Sequence, residues 1–131
     1  MTDKIFASAK ELKVGKYVLI DDIPCRIVDI ESSAPGKHGA AKMRVTAMGV
    51  FDGSKRTLLK PSDADVEVPI IERKTAQIVA ISGETAQLMD LASYEIFELP
   101  IPEEIRQEAG AGKEAEYMET MGKKAITRIR D

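Results

Sequence analysis

The chain has 131 residues, of which 44% are hydrophobic and 31% charged, an ordinary balance for one or two small domains. Its formal net charge of -3 argues against a protein that coats nucleic acid non-specifically, and its single cysteine excludes an intrachain disulfide. Cys25 lies in an apolar stretch, so we interpret it as a small buried hydrophobe. Aromatic residues make up only 5%, so we expect an aliphatic core. No apolar run approaches the roughly 20 residues that span a bilayer, so we expect a cytoplasmic protein without a membrane partner.

The first half predicts five short strands separated by turns. They are Tyr17 to Ile20, Pro24 to Glu31, Ala41 to Met48, Lys55 to Lys60 and Asp65 to Val68. In the third, hydrophobic residues alternate with Lys42 and Arg44, which predicts one buried and one exposed face. The Asp52-Gly53 pair marks the following turn. Residues 1 to 69 carry eleven basic and ten acidic side chains, so an RNA contact is expected in this half and to be local.

The second half predicts three strands, a short helix and two further strands. They are Lys74 to Ile81, Glu84 to Leu91, Ser93 to Leu99, a helix with Pro102 at its first position, Glu114 to Met121, and Lys123 to Arg130. A helix after the third strand suits an OB-fold. The sequence therefore predicts an all-β protein of two small barrels, with domains at residues 1–69 and 70–131.

The segment that joins the second and third strands carries the clearest functional signal. Pro35 fixes one backbone angle, while Gly36 and Gly39 permit angles that other residues avoid. The two glycines bracket Lys37 and His38. We expect a protruding hairpin with Lys37 exposed at its apex.

Several types of enzyme site were compared with this segment, and for each of them a feature that the chemistry requires is missing. A phosphate-binding P-loop needs an earlier glycine where Glu31 stands and a hydroxyl residue where His38 stands. One histidine and one cysteine are too few for a zinc site. A nucleophilic lysine needs burial, and a general base needs an orienting partner. We therefore predict a protein that is not an enzyme, although a simple solvated turn, or a phosphate-binding patch of Lys37, Lys42 and Arg44, fits the same residues.

The run Pro35-Gly36-Lys37-His38-Gly39, followed by Ala41-Lys42, resembles the modification loop of the translation initiation factor 5A family. The resemblance is to the archaeal type, which is related to bacterial elongation factor P. It implies an N-terminal SH3-like barrel followed by a C-terminal OB-fold. It also implies that deoxyhypusine synthase adds an aminobutyl group from spermidine to Lys37, giving deoxyhypusine or, after hydroxylation, hypusine. Eukaryotic members typically have histidine at the position of Ala40, which puts hydroxylation in question.

The resemblance further implies a factor that binds the ribosome and steadies peptidyl-tRNA for peptide-bond formation, with no cofactor beyond the covalent modification and no metal. Apart from Lys37, the residues expected to shape the loop or contact RNA are Ser33, Pro35, Gly36, His38, Gly39, Lys42 and Arg44. Lys123 and Lys124 are weaker candidates in the second domain. Two alternatives stay open at this point. One is an unmodified two-barrel RNA-binding adaptor, and the other is an enzyme that forms a Schiff base on Lys37.

Overall fold

A computed structural model describes residues 3–33 and 41–130. The chain divides into two compact units, Met1–Ile70 and Ile71–Asp131, one residue beyond the boundary expected after residue 69. Both units are built from antiparallel strands joined mostly by short turns. The all-β prediction is therefore confirmed, and each unit has its own hydrophobic core.

The described part of the first unit contains six strands. They are β1 (Lys4–Ser8), β2 (Tyr17–Ile20), β3 (Ile23–Ser33), β4 (Lys42–Gly49), β5 (Lys55–Pro61) and β6 (Asp65–Pro69). Strands β2 to β5 pair in sequence order, and β1 pairs with β6 in a separate two-stranded sheet. Asp21 and Asp22, which join β2 to β3, have φ angles of 54° and 63°. Such left-handed angles are typical of a tight hairpin turn, where aspartate is tolerated.

Strand β1 was not predicted from the sequence, whose pattern indicated five strands in this half. Lys4–Ser8 pairs with residues 65–69, so its partner lies about sixty positions away in the chain. Ile5 and Phe6 are both exposed, so the strand lacks a clear alternation of apolar and polar side chains. A short helix of the 3₁₀ type follows at Ala9–Glu11, which was also not predicted.

The predicted alternation in β4 is confirmed. Met43, Val45 and Ala47 are buried, while Lys42 and Arg44 are exposed on the opposite face. The buried residues join a core that includes Ala9, Leu12, Val18, Ile20, Cys25, Ile27 and Val66. This core is aliphatic, as expected, and Cys25 is fully buried within it.

Strand β3 contains a β-bulge, an extra residue that has no partner opposite it. Ile27 pairs with Ala47 and Asp29 with Thr46, which leaves Val28 outside the register. A bulge of this kind bends the strand and increases its local twist. It also explains why Val28 is 41% exposed in an otherwise apolar stretch.

Five strands form the second unit. They are β7 (Glu72–Ser82), β8 (Thr85–Asp90), β9 (Ile96–Pro100), β10 (Glu114–Thr120) and β11 (Lys123–Arg130), in the order β11-β10-β7-β8-β9. Strand β7 has a bulge at Val79, as β3 has at Val28. The predicted helix is present as a 3₁₀ helix at Glu103–Glu108, so it begins one residue after Pro102. Strand β9 begins three residues later than predicted, because Tyr94 adopts a φ of 62° in the preceding turn.

The second core departs from the aliphatic expectation at one position. The ring of Tyr117 is 2% exposed and packs edge-on against Phe97, with 5.1 Å between the ring centroids. Ile78, Leu88 and Ile126 surround this pair. The edge strands β9 and β11 approach one another, as β2 and β5 do in the first unit, so both sheets curl into small barrels. The first is the predicted SH3-like barrel and the second is the predicted OB-fold.

Candidate functional site

The predicted loop residues Pro35, Gly36, Lys37, His38 and Gly39 lie outside the described residues. The structure does describe the two strands that lead into and out of that segment. The β3–β4 ladder continues as far as the pair Ser33 and Lys42. The segment 34–41 therefore connects two directly paired residues at one end of the four-stranded sheet.

Lys42 and Arg44 lie on the outward face of this end of the sheet. Residues that face each other in neighbouring antiparallel strands carry their side chains on the same face. Lys42 is thus flanked by Ser33 and Pro61, while Arg44 lies between Glu31 and Leu59. This register agrees with the predicted exposed face of the strand, while phosphate contacts of Lys42 and Arg44 stay a prediction.

Two further lysines reach the same end of the first unit, and neither was predicted from the sequence as part of the site. Lys60 pairs with Met43 in the β4–β5 hairpin, so its side chain leaves the opposite face of the sheet from Lys42 and Arg44 and borders a cleft beside β5. Lys10 donates its backbone N–H to the carbonyl of Ser62 at 3.0 Å, and Ser62 donates to the carbonyl of Ala41 at 2.7 Å. The Asp52-Gly53 turn sets the hairpin register, so Lys60 could have been found from the sequence. Lys10 could not, because no local pattern predicts its contact with residue 62.

The charge at this end is moderately positive among the described residues. The exposed cations are Lys10, Lys42, Arg44 and Lys60, and the nearby exposed carboxylates are Glu11, Glu31 and Asp63. Glu11 already accepts a hydrogen bond from the backbone N–H of Ser8 at 3.3 Å. This arrangement suits a few phosphate contacts and would not hold a long stretch of nucleic acid by charge alone.

The other chemical groups among the described residues of the first unit show no catalytic arrangement. The thiol of Cys25 contacts the carbonyl oxygen of Ile23 at 3.3 Å, and burial raises its pKa, which disfavours the reactive thiolate. No group of three or more potential ligands that could hold a metal ion occurs within residues 3–33 and 41–130. In the same residues, every helix is too short to cross a membrane.

Among the described residues, the two most strongly perturbed ionisable groups, Asp90 and Tyr117, contact each other in the second unit, and their partners indicate a structural role. Asp90 is 4% exposed and accepts hydrogen bonds from the Tyr117 hydroxyl and from the backbone N–H groups of Ala92 and Ser93, both at 2.8 Å. These donors, led by Tyr117, lower the pKa of Asp90 to about 2. Burial and the neighbouring carboxylate raise the pKa of Tyr117. The pair closes the β8–β9 turn onto the core, and no local pattern in the sequence predicted it.

Comparison with known proteins assigns both units to one family. Residues 3–64 match the family model described as "Translation initiation factor 5A-like, N-terminal". Residues 70–130 match the one described as "Eukaryotic elongation factor 5A hypusine, DNA-binding OB fold". The two matches together cover nearly the whole chain.

Named relatives and solved structures agree with these matches. "Translation initiation factor 5A" of Methanocella arvoryzae is 56% identical over 117 residues, which cover 89% of this chain and 91% of the relative. Its counterpart in Pyrococcus horikoshii is 50% identical over 134 residues, which cover 99% of this chain and 97% of the relative. A solved structure of the factor from Methanococcus jannaschii superposes with a TM-score of 0.89 at 46% identity, covering 98% of each chain. A family protein from Naegleria fowleri gives 0.76 at 29% identity, covering 99% of this chain and 100% of the other. This chain therefore belongs to the translation initiation factor 5A family.

Proposed function

We propose that this chain works in the cytoplasm as a factor that binds the ribosome and presents a modified Lys37 to peptidyl-tRNA. In this proposal deoxyhypusine synthase transfers the aminobutyl group of spermidine to Nζ of Lys37. A carbon–nitrogen bond to Nζ forms, the corresponding bond in spermidine breaks, and diaminopropane leaves with the displaced hydrogen. The ribosome performs the peptide-bond chemistry, and the factor acts by positioning its substrate.

The observation that carries the proposal is the β3–β4 hairpin of a family member, whose connecting segment contains Gly36-Lys37-His38-Gly39. The ladder up to Ser33 and Lys42 fixes both ends of that segment on a sheet with a packed core. A rigid base of this kind lets a binding group be delivered to a defined place. The description of the matching second-unit family includes hypusine, which agrees with a modified lysine.

The modified side chain has the properties that such a position requires. Lysine is a compact charge on a flexible stem. Addition of an aminobutyl group lengthens this stem and adds a second amine, so that one side chain carries two cationic groups. A long dication suits a narrow channel lined by RNA phosphates. If it holds the acceptor end of peptidyl-tRNA in a reactive orientation, it lowers the entropic part of the barrier to peptide transfer.

The exposed cations at the base of the hairpin are expected to support this placement. Lys42, Arg44 and the newly identified Lys10 and Lys60 lie on three segments that meet at one end of the barrel. Contacts of this type fix orientation on RNA without reading its sequence. They would hold the first unit in position while the modified Lys37 reaches the tRNA.

The modification is tested by measuring the intact mass of the protein isolated from its native host. We expect an excess over the sequence mass of one C₄H₉N group, or one oxygen more after hydroxylation. Lys37→Arg should abolish the excess, whereas the matched control Lys42→Arg should retain it. An unmodified mass for the native protein would contradict the proposal.

The action on the ribosome is tested with a reconstituted peptide-bond assay that compares modified and unmodified protein. The modified form should accelerate peptide formation, and the unmodified form should do so much less. If Lys37→Ala binds ribosomes and acts like the modified protein, the alternative of an unmodified RNA-binding adaptor is favoured. Borohydride trapping of Lys37 with a carbonyl substrate would instead support an enzyme.

A further inference from the structure

The outer edge of β5 is an unpaired strand edge in the first unit. The sheet order β2-β3-β4-β5 places β5 (Lys55–Pro61) at one end, and among the described residues only β4 pairs with it. The chain turns at residues 62–64 and continues into β6, which pairs with β1 instead. Strands β5 and β6 therefore diverge from their shared turn, so one edge of β5 has no strand hydrogen-bonded to it, although part of β5 approaches β2 where the barrel closes.

The register identifies the backbone groups that this edge presents. Gly49 donates its N–H to the carbonyl of Ser54 at 2.8 Å, and Ser62 donates to the carbonyl of Ala41 at 2.7 Å. Both bonds continue the β4–β5 register, in which hydrogen-bonded pairs alternate with non-hydrogen-bonded pairs. The Gly49–Ser54 bond at one end of the hairpin and the Ser62–Ala41 bond at the other assign the same β5 residues to the hydrogen-bonded pairs. The N–H and C=O groups that point away from β4 are those of Lys55, Thr57 and Leu59.

A cleft of about 370 Å³ lies along this edge. Its walls are β5 residues 57–60, the end of β2 with the Asp21-Asp22 turn, and β6 residues 65–67. The cleft offers apolar contacts with Leu58, which is half-buried, and with the side chain of Leu59, which is 66% exposed. A strand edge bordered by apolar side chains is the arrangement that accepts an additional strand.

The wall opposite β5 is acidic. It contains Asp21, Asp22, Asp65 and Glu67. The ammonium group of Lys4 contacts Asp22 at 3.6 Å and also pairs with Glu67, which leaves Asp21 and Asp65 as exposed carboxylates. Lys60 also borders the cleft, but four carboxylates against Lys60 and Lys4 keep its lining net negative, which disfavours nucleic acid and favours a positively charged occupant.

We propose that an extended, basic peptide segment of a partner protein binds in this cleft as an additional strand on β5. Its backbone would pair with the free N–H and C=O groups of Thr57 and Leu59. Its alternate side chains would lie against Leu59 on the outer face and towards Leu58 on the inner face, because side chains alternate along a strand. Its lysine or arginine residues would approach Asp21 and Asp65. Lys60 borders both the cleft and the loop-bearing end, whereas Lys42 and Arg44 lie outside the cleft. The segment that carries Lys37 is not part of this contact.

The probe is a fluorescein-labelled hexapeptide of three lysine–valine repeats, titrated into the full chain and followed by fluorescence anisotropy. We expect saturable binding that weakens with added salt, together with amide shifts at Thr57 and Leu59 in ¹⁵N-labelled protein. The same peptide with every backbone nitrogen methylated, and a glutamate–valine peptide, should not bind. If the methylated peptide binds equally well, or if oligouridine RNA shifts the same amides instead, the proposal is wrong.

Variants of the protein separate the charge contribution from the backbone contribution. Asp21→Asn with Asp65→Asn should weaken peptide binding by about fivefold to tenfold, because each exposed pair contributes modestly. The matched control Glu103→Gln with Glu104→Gln removes two exposed carboxylates from the second unit and should change nothing. Leu59→Pro removes a backbone N–H that points away from β4, so the β4–β5 hydrogen bonds are kept while one bond to the peptide is lost. Peptide binding should weaken at least about tenfold. Unchanged affinity in both cleft variants would overturn the proposal, and the methylated peptide tests it without altering the protein.

Discussion

Replacing Tyr117 by phenylalanine removes one hydroxyl from the second core and leaves the packing of the ring. That hydroxyl is a donor to Asp90, a buried carboxylate. A hydrogen bond to a charged group contributes about 1.5–3 kcal/mol to stability. The lowered pKa of Asp90 gives a comparable stabilisation free energy. Lowering it from 3.8 to about 2 corresponds to about 2 kcal/mol, part of which comes from the two backbone donors. We expect Tyr117→Phe to destabilise the second unit by about 2 kcal/mol at pH 7.

The pH dependence of this effect has a definite sign. The folded-state pKa of Asp90 lies below its unfolded value, so the unfolded state binds more protons as the pH falls. The stabilisation is fully present above pH 4 and is lost as the pH falls towards about 2. Tyr117 is the largest cause of the lowered pKa, so the difference between wild type and Tyr117→Phe should shrink over the same interval.

Urea titrations that are monitored by methyl NMR signals measure this loss of stability at each pH without relying on tyrosine fluorescence. Leu88 and Ile126 report on the second core, while Val18 and Val45 report on the first and serve as an internal control. Only the second-core midpoint should fall. A variant as stable as wild type at pH 7, or a difference that stays constant down to pH 2, would refute the structural role given to the Asp90–Tyr117 pair.

Three further perturbations test other parts of the structure. Ile27→Ala should lower the stability of the first unit by about 2–5 kcal/mol, since its side chain is fully buried, and urea unfolding of the first-core signals would measure this. Gly49→Ala places a methyl group 2.0 Å from a carboxylate oxygen of Asp52, so the Asp52 side chain must move. The free energy of unfolding should fall by about 1 kcal/mol, and a thermal midpoint equal to wild type would contradict this. Lys42→Ala and Lys60→Ala should each flatten the salt dependence of ribosome binding by about one phosphate contact, and an unchanged slope would remove that lysine from the interface.

The sequence predicted most strands because hairpins are encoded locally. Turn residues such as Asp52-Gly53 and Met121-Gly122 separate two stretches in which apolar and polar residues alternate. The two strands that pair are therefore close to each other in the chain. The second of these turns has φ angles of 52° and 77°, the left-handed pair that a two-residue hairpin needs. Strand β11 was placed correctly at both ends for this reason.

Features that depend on distant residues could not be read in the same way. Strand β1 is held by β6, and Lys10 by Ser62, so no window of neighbouring residues contains the cause. The Asp90–Tyr117 bond joins positions 27 apart in sequence. At the candidate site, the loop segment was recognised from its own residues, whereas its neighbour Lys60 needed the hairpin register. The placement of Lys37 stays a prediction.

The bulge at Val28 has a consequence for the composition of β3. In an unbroken strand every second residue shares a face, so Asp29, Glu31 and Ser33 would have pointed inward with Ile27. The extra residue reverses this alternation, and the strand beyond it turns its polar side chains to solvent. Beyond the bulge, Ile30 still packs against the first core, whereas Asp29, Glu31 and Ser33 point to solvent. Substitutions at those three positions of the hairpin arm can therefore accumulate without cost to the packing of the barrel.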